Sequence, residues 1–138
     1  MKISIHLSFN GQCAEAFADY ARIFNGTIVF QMKYRDSPMA GEVPADWQDK
    51  LYHATLTIAG LTLMAGDMQP LAVAPQGCSL IVNPDGHDEA HLIFDALATD
   101  GLVKMPMQET FWAAAFGVVV DRYGVEWSIN CEAVPEAS

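Results

Sequence analysis

From Met107 to Asn130 the chain reads M-Q-E-T-F-W-A-A-A-F-G-V-V-V-D-R-Y-G-V-E-W-S-I-N, and Glu109 is the residue in this stretch with the most chemistry to offer. It lies between Gln108 and Thr110 and is followed by Phe111 and Trp112. A carboxyl group enclosed by aromatic rings is held toward its neutral form, which suits it to general-base work near neutral pH, so Glu109 is the candidate catalytic residue. The competing use is structural. In that reading Glu109 and Thr110 satisfy backbone groups in an irregular connection, while Trp112, like Trp127, fills core.

Alternation supplies the other candidates. Over 125–131, Val125, Trp127, Ile129 and Cys131 share one face, and Glu126, Ser128 and Asn130 share the other. Near the start, Ile3, Ile5, Leu7 and Phe9 leave Ser4, His6 and Ser8 on the opposite face, and over 52–58 the polar face holds His53, Thr55 and Thr57. An apolar face builds core and frees the polar face to line a site. His6, His53, Thr55, Trp112, Glu126, Ser128 and Asn130 are therefore the candidate ligand-binding residues.

An internal repeat positions these strands. The first copy, S-I-H-L-S-F-N-G-Q-C-A-E-A-F, runs as strand, turn and helix and stops at Asn25-Gly26. The second, C-S-L-I-V-N-P-D-G-H-D-E-A-H, repeats the plan and stops at Asp100-Gly101. Ala14, Phe17, Ala21 and Phe24 form the apolar stripe expected on the first helix, and Ala90, Ile93 and Leu97 that on the second. Acidic residues open each helix, where its dipole favours them. Three strands are expected after each helix, at 27–34, 52–58 and 61–64 and then at 102–107, 116–121 and 125–131. Ala59-Gly60 and Tyr123-Gly124 mark the hairpin turns. Asp67 reads as a strand end or turn cap, and Asp121 with Arg122 as residues that order the second hairpin. Over 35–50, R-D-S-P-M-A-G-E-V-P-A-D-W-Q-D-K reads as an exposed loop. Trp47 within it is expected to be its hydrophobic anchor, with a lid that closes on ligand as the other reading. His87 and His91 read as a solvated helix face.

The 138 residues suffice for one domain, with modules at 1–70 and 76–132. Seven Lys and Arg against 17 Asp and Glu leave a net charge of -10, which disfavours nucleic acid and anionic membranes and favours a cationic or neutral small ligand. Cys13, Cys78 and Cys131 are odd in number and widely spaced, as expected of reduced thiols rather than disulfides or a zinc cluster. The start M-K-I-S-I-H lacks a leader-like apolar run, and no apolar stretch approaches the roughly 20 residues that span a bilayer. A cytoplasmic protein is expected.

Two tandem βαβββ modules, an α+β class, are the layout of the vicinal oxygen chelate superfamily, which includes glyoxalase I, extradiol dioxygenases and bleomycin-resistance proteins. The chain resembles the PhnB-like branch of that superfamily. L-S-F-N-G-Q-C-A-E-A-F, H-A-T-L-T-I-A-G-L-T-L-M-A-G-D-M-Q-P, M-Q-E-T-F-W-A-A-A-F-G and D-R-Y-G-V-E-W-S-I-N carry the likeness across nearly the whole chain. The resemblance implies eight strands in two concave sheets cupping a cavity, and a homodimer.

The resemblance also implies a divalent metal held by His and carboxylate side chains. His6 stands about where the first ligand is expected, and Glu126 is two residues from the expected terminal-strand Glu, a position taken by Ser128. Ala65 or Gly66 and Ser79 occupy the remaining ligand positions. Because stable transition-metal sites generally need three or more protein ligands, a metal is disfavoured. Relatives are often called 3-demethylubiquinone methyltransferases, yet no glycine-rich strand-to-helix loop for S-adenosylmethionine is visible; Asn10-Gly11-Gln12 is only a turn. Two classes remain: a metal-free binder of a small cationic or aromatic molecule, and a glyoxalase-like lyase, isomerase or dioxygenase.

Overall fold

A computed structural model describes residues 1–68 and 77–132. The chain divides into two units, Met1–Ala74 and Pro75–Ser138. The module bounds expected at 70 and 76 lie outside the described residues.

The first unit comprises β1 (Ile5–Phe9), α1 (Cys13–Phe24), β2 (Thr27–Lys33), β3 (Leu51–Ile58) and β4 (Leu61–Asp67). Its sheet runs β1-β4-β3-β2, with β1 parallel to β4 and the other neighbours antiparallel. The second unit repeats this with β5 (Leu80–Val82), α2 (His87–Ala98), β6 (Leu102–Gln108), β7 (Ala113–Val120) and β8 (Glu126–Glu132), in the order β5-β8-β7-β6. Two βαβββ modules are thus present, each with a four-stranded mixed sheet and one helix.

The period-2 pattern sets the sheet faces. In β3, Ala54, Leu56 and Ile58 are buried while His53, Thr55 and Thr57 are half-buried, as their alternation requires. β8 buries Trp127, Ile129 and Cys131. The β3–β4 hairpin turns on Ala59 and Gly60, both at positive φ, the geometry that matches the twist of the strands it joins.

α1 differs from its expected face. It buries Cys13, Ala16, Phe17 and Tyr20 and leaves Ala14 exposed, because a thiol and a phenol ring pack as apolar groups and sit at the i, i+3, i+4, i+7 positions of one helical stripe. α2 buries Ala90, Ile93 and Leu97 as expected, together with Phe94. β4 extends beyond residue 64, since Ala65, Gly66 and Asp67 pair with Leu7, Ser8 and Phe9 of β1. β7 starts at Ala113, earlier than expected, and pairs there with Glu132. Among the described residues no helix is long and apolar enough to cross a membrane.

Candidate functional site

The polar end of the first sheet is organised by Asp67, which is 1% exposed. Its Oδ1 accepts the backbone N–H of Cys13 at 2.9 Å and its Oδ2 that of Leu51 at 3.0 Å, so one carboxylate ties the β1–α1 turn to the start of β3. Burial pushes the Asp67 carboxyl up, against the opposing pull of the N–H groups of Cys13, Leu51 and Gly11 and the Lys50 charge. The buried Cys13 thiol is pushed up to about 12 by burial and by Asp67, which makes it a packing group. The expected strand-end role of Asp67 is therefore only part of what it does.

Tyr34, which follows β2, donates its hydroxyl to the backbone carbonyl of Asp67. Burial, then Asp67 and Tyr52, push its phenol up. The buried Trp47 ring meets Tyr34 edge-on with centroids 6.0 Å apart, and Tyr52 meets it from another side at 5.5 Å. Trp47 thus anchors the loop over 35–50, whose short 3-10 turns Tyr34–Asp36, Ala40–Glu42 and Ala45–Trp47 are braced by Gln48 Nε2 donating to the carbonyls of Ala40 and Val43.

A pocket of about 540 Å³ opens where this loop meets the sheet. The sheet contributes His6, Tyr52 and His53; the loop contributes Tyr34, Met39, Glu42 and Val43; Met68 follows β4. The His6 and His53 rings stack with centroids 6.2 Å apart, Phe30 flanks His53 at 5.9 Å, and Thr55 Oγ1 lies 3.3 Å from His53 Nε2. Burial, then His53, lower the His6 pKa from 6.5, which favours its neutral imidazole. Tyr52 and His53 are neighbours in sequence and an ideal strand would send them to opposite faces. The β2–β3 register shifts here: Met32 pairs with His53 and Lys33 with Leu51, leaving Tyr52 as the extra residue of a bulge. A bulge re-aims side chains in this way, so both rings reach the pocket.

His6, His53 and Thr55 are therefore brought together. Glu109, Trp112, Glu126, Ser128 and Asn130 belong to the second module and do not line this pocket. Glu109 is exposed, without the aromatic enclosure its general-base reading requires. Trp112 corrects the core-filling expectation: it is 48% exposed and Phe111 is 96% exposed, because Thr110 and Ala113 close a tight turn that turns both rings outward. Glu126 accepts Lys104 Nζ at 2.6 Å, and Ser128 is buried. Asn130 Nδ2 donates to Asn83 Oδ1 at 3.1 Å, while its own Oδ1 is buried without a partner among the described residues. Sequence reasoning missed Tyr34, Glu42, Val43 and Tyr52, toward which the anchored loop pointed, whereas the methionines, Met68 among them, read as adaptable packing near a cavity, and Met39 and Met68 do line it.

The residues do not fit the superfamily's divalent metal. Among the described residues no three His, Cys, Asp or Glu side chains converge. Gly66, one of the positions where a second ligand is expected, has no room for a side chain, since an added Cβ would lie 2.5 Å from the Tyr52 carbonyl oxygen.

Over residues 1–130 the sequence matches the model of the family described as 3-demethylubiquinone-9 3-methyltransferase. The chain belongs to this PhnB-like family. It is 44% identical to protein PA1353 from Pseudomonas aeruginosa, whose crystal structure superposes with a TM-score of 0.86 over 96% of this chain and 98% of that one. A Bacillus cereus structure described as a putative 3-demethylubiquinone-9 3-methyltransferase, PhnB protein, is 28% identical with a TM-score of 0.84 over 95% and 99% of the two chains. Protein YjdN of Escherichia coli is 34% identical over 94% of this chain and 95% of its own length. A glyoxalase-related enzyme from Fulvimarina pelagi, 20% identical with a TM-score of 0.64 over 96% and 88% of the chains, shows the glyoxalase-like fold alone.

Proposed function

We propose that this PhnB-like protein binds a small organic molecule in the first-module pocket, without the three-ligand metal centre of the vicinal oxygen chelate superfamily. The observation that carries the reading is the pocket itself: about 540 Å³ of space bounded by two stacked imidazoles, two phenols and two thioethers. Ligand clefts run from about 300 to about 1,000 Å³ and combine apolar walls with a few placed polar groups, which is the composition found here. The tight packing at Gly66 and the engagement of Glu126 by Lys104 support the metal-free form of the reading.

Methyl transfer, which the family description names, finds no support in the residues. The first sheet is mixed, with β1–β4 its parallel pair, whereas the usual cradle for S-adenosylmethionine is a glycine-rich loop in a doubly wound parallel sheet. Asn10-Gly11-Gln12 offers one glycine.

The test is a metabolite screen by thermal shift in the presence of chelator, on wild type and on Tyr52→Ala and His53→Ala. Elemental analysis and Ni²⁺, Zn²⁺, Mn²⁺ and Fe²⁺ titrations of wild type and His6→Ala run beside it. Compounds that stabilise wild type in chelator but not the variants are the expected result. Near-stoichiometric metal lost in His6→Ala would overturn the metal-free reading, and stabilisation untouched by both pocket variants would overturn the site.

The homodimer is part of the same proposal. Val29 and Phe30 on edge strand β2, and Leu102 and Val103 on edge strand β6, expose apolar side chains that a second copy would cover. Sedimentation equilibrium giving a monomer at micromolar concentration would refute it.

A further inference from the structure

Among the described residues, Glu42 is the one carboxylate lining the first-module pocket, and no lysine or arginine lines it. The nearby basic residues are directed elsewhere: Arg35 pairs with Asp49 at 2.7 Å, Lys33 approaches the same carboxylate at 3.8 Å, and Lys50 lies against Gly11 and attracts Asp67. The buried carboxyl of Asp67 adds a second acidic group close enough to act on the Tyr34 phenol. An anion entering this space would meet a carboxylate and no cation to pair with, which is costly in a partly desolvated site.

A positive charge meets the opposite environment. The rings of Tyr34 and Tyr52 line the pocket, the thioethers of Met39 and Met68 are polarisable, and Glu42 supplies a counter-charge. Primary ammonium groups are tightly hydrated and need three acceptors at fixed angles, which rings and thioethers do not provide. An N-methylated ammonium sheds less hydration and packs its methyl groups on those same surfaces.

On the reading that this pocket is the ligand site, we propose that it selects an organic ammonium ion substituted at nitrogen, held between Tyr34, Tyr52 and the thioethers of Met39 and Met68 with Glu42 as its counter-ion. Neutral molecules of the same shape bind more weakly, and oxyanions are excluded.

Three probes separate charge from shape in the full chain: phenyltrimethylammonium, its neutral isostere tert-butylbenzene, and benzenesulfonate. Each is titrated at about 0.15 M salt, where attraction to the acidic surface is screened. NMR shifts of the His6, His53, Tyr34 and Tyr52 rings locate binding. The expected result is ring shifts at these residues with the cation bound roughly tenfold more tightly than the isostere, within the range cation–π contacts supply. Glu42→Gln should narrow that gap while leaving the isostere unchanged. Isostere and cation binding equally, with the ring shifts present, would sink the ammonium inference and leave the pocket standing. Preference for benzenesulfonate would also sink it. No ring shift with any probe would sink both the inference and the pocket reading on which it rests.

Discussion

The carboxylate of Asp67 and the backbone N–H of Cys13 meet at 2.9 Å, joining the end of β4 to the first turn of α1. The second oxygen holds Leu51, so both acceptor sites are used on buried backbone donors. Asparagine keeps one acceptor and turns an NH₂ toward the other donor. Asp67→Asn is therefore expected to lower stability by about 1–3 kcal/mol in denaturant titrations at pH 7. The pH dependence has a definite sign. Because the folded carboxyl is raised above 3.8, the native state binds the proton more tightly, and the stability wild type draws from that proton falls as pH rises from 3.8 through the raised value. The gap between wild type and variant should narrow across that window; a widening gap would refute the argument.

Gly66→Ala tests the close approach of β4 to β3. Its Cβ would sit 2.5 Å from a backbone oxygen, which cannot swing aside as a side chain would. A loss of roughly 1–3 kcal/mol is expected from such overpacking. Unchanged stability would mean that the strands separate freely at this point.

Trp47 secures the loop that forms one wall of the pocket. Trp47→Ala is expected to cost about 3–5 kcal/mol and to abolish ligand-induced stabilisation. Trp47→Phe should retain part of both, because it keeps an edge-on ring against Tyr34. If Trp47→Ala binds pocket ligands normally, the loop does not build the site.

His6 should titrate below 6.5 when its ring protons are followed by NMR. His53→Asn should raise the midpoint only partway back, since burial is the larger cause and the second imidazole the smaller. With the folded value below the unfolded one, the contribution of His6 to stability is complete above 6.5 and is lost as pH falls through the lowered value. A midpoint unmoved by His53→Asn would show that the stacked rings do not interact electrostatically.

The repeat and its strand faces were legible because they rest on local periods. Ala54, Leu56 and Ile58 alternate with His53, Thr55 and Thr57, and the same alternation runs through Trp127, Ile129 and Cys131. Where side-chain type blurred the period, the reading slipped. The sequence points to Ala14 and Ala21 for the stripe of α1, whereas the thiol of Cys13 and the phenol of Tyr20 complete it. Trp112 reads in sequence as a core-filling ring, yet the short turn closed by Thr110 and Ala113 exposes it.

By itself the sequence determined the two βαβββ modules, the polar face that carries His6 and His53, and the acidic balance that disfavours anionic partners. The charge follows from composition, the strand and helix faces from periods of two to four residues, and the modules from the repeat of the same strand–turn–helix plan in each half of the chain. The pocket was decided by tertiary structure. Tyr52 joins His53 there only because the β2–β3 register slips at a bulge, and Glu42 and Met39 line it because Trp47 packs on Tyr34. Strand register and loop docking are contacts between distant segments, set by how whole elements pack, and no local period carries that information.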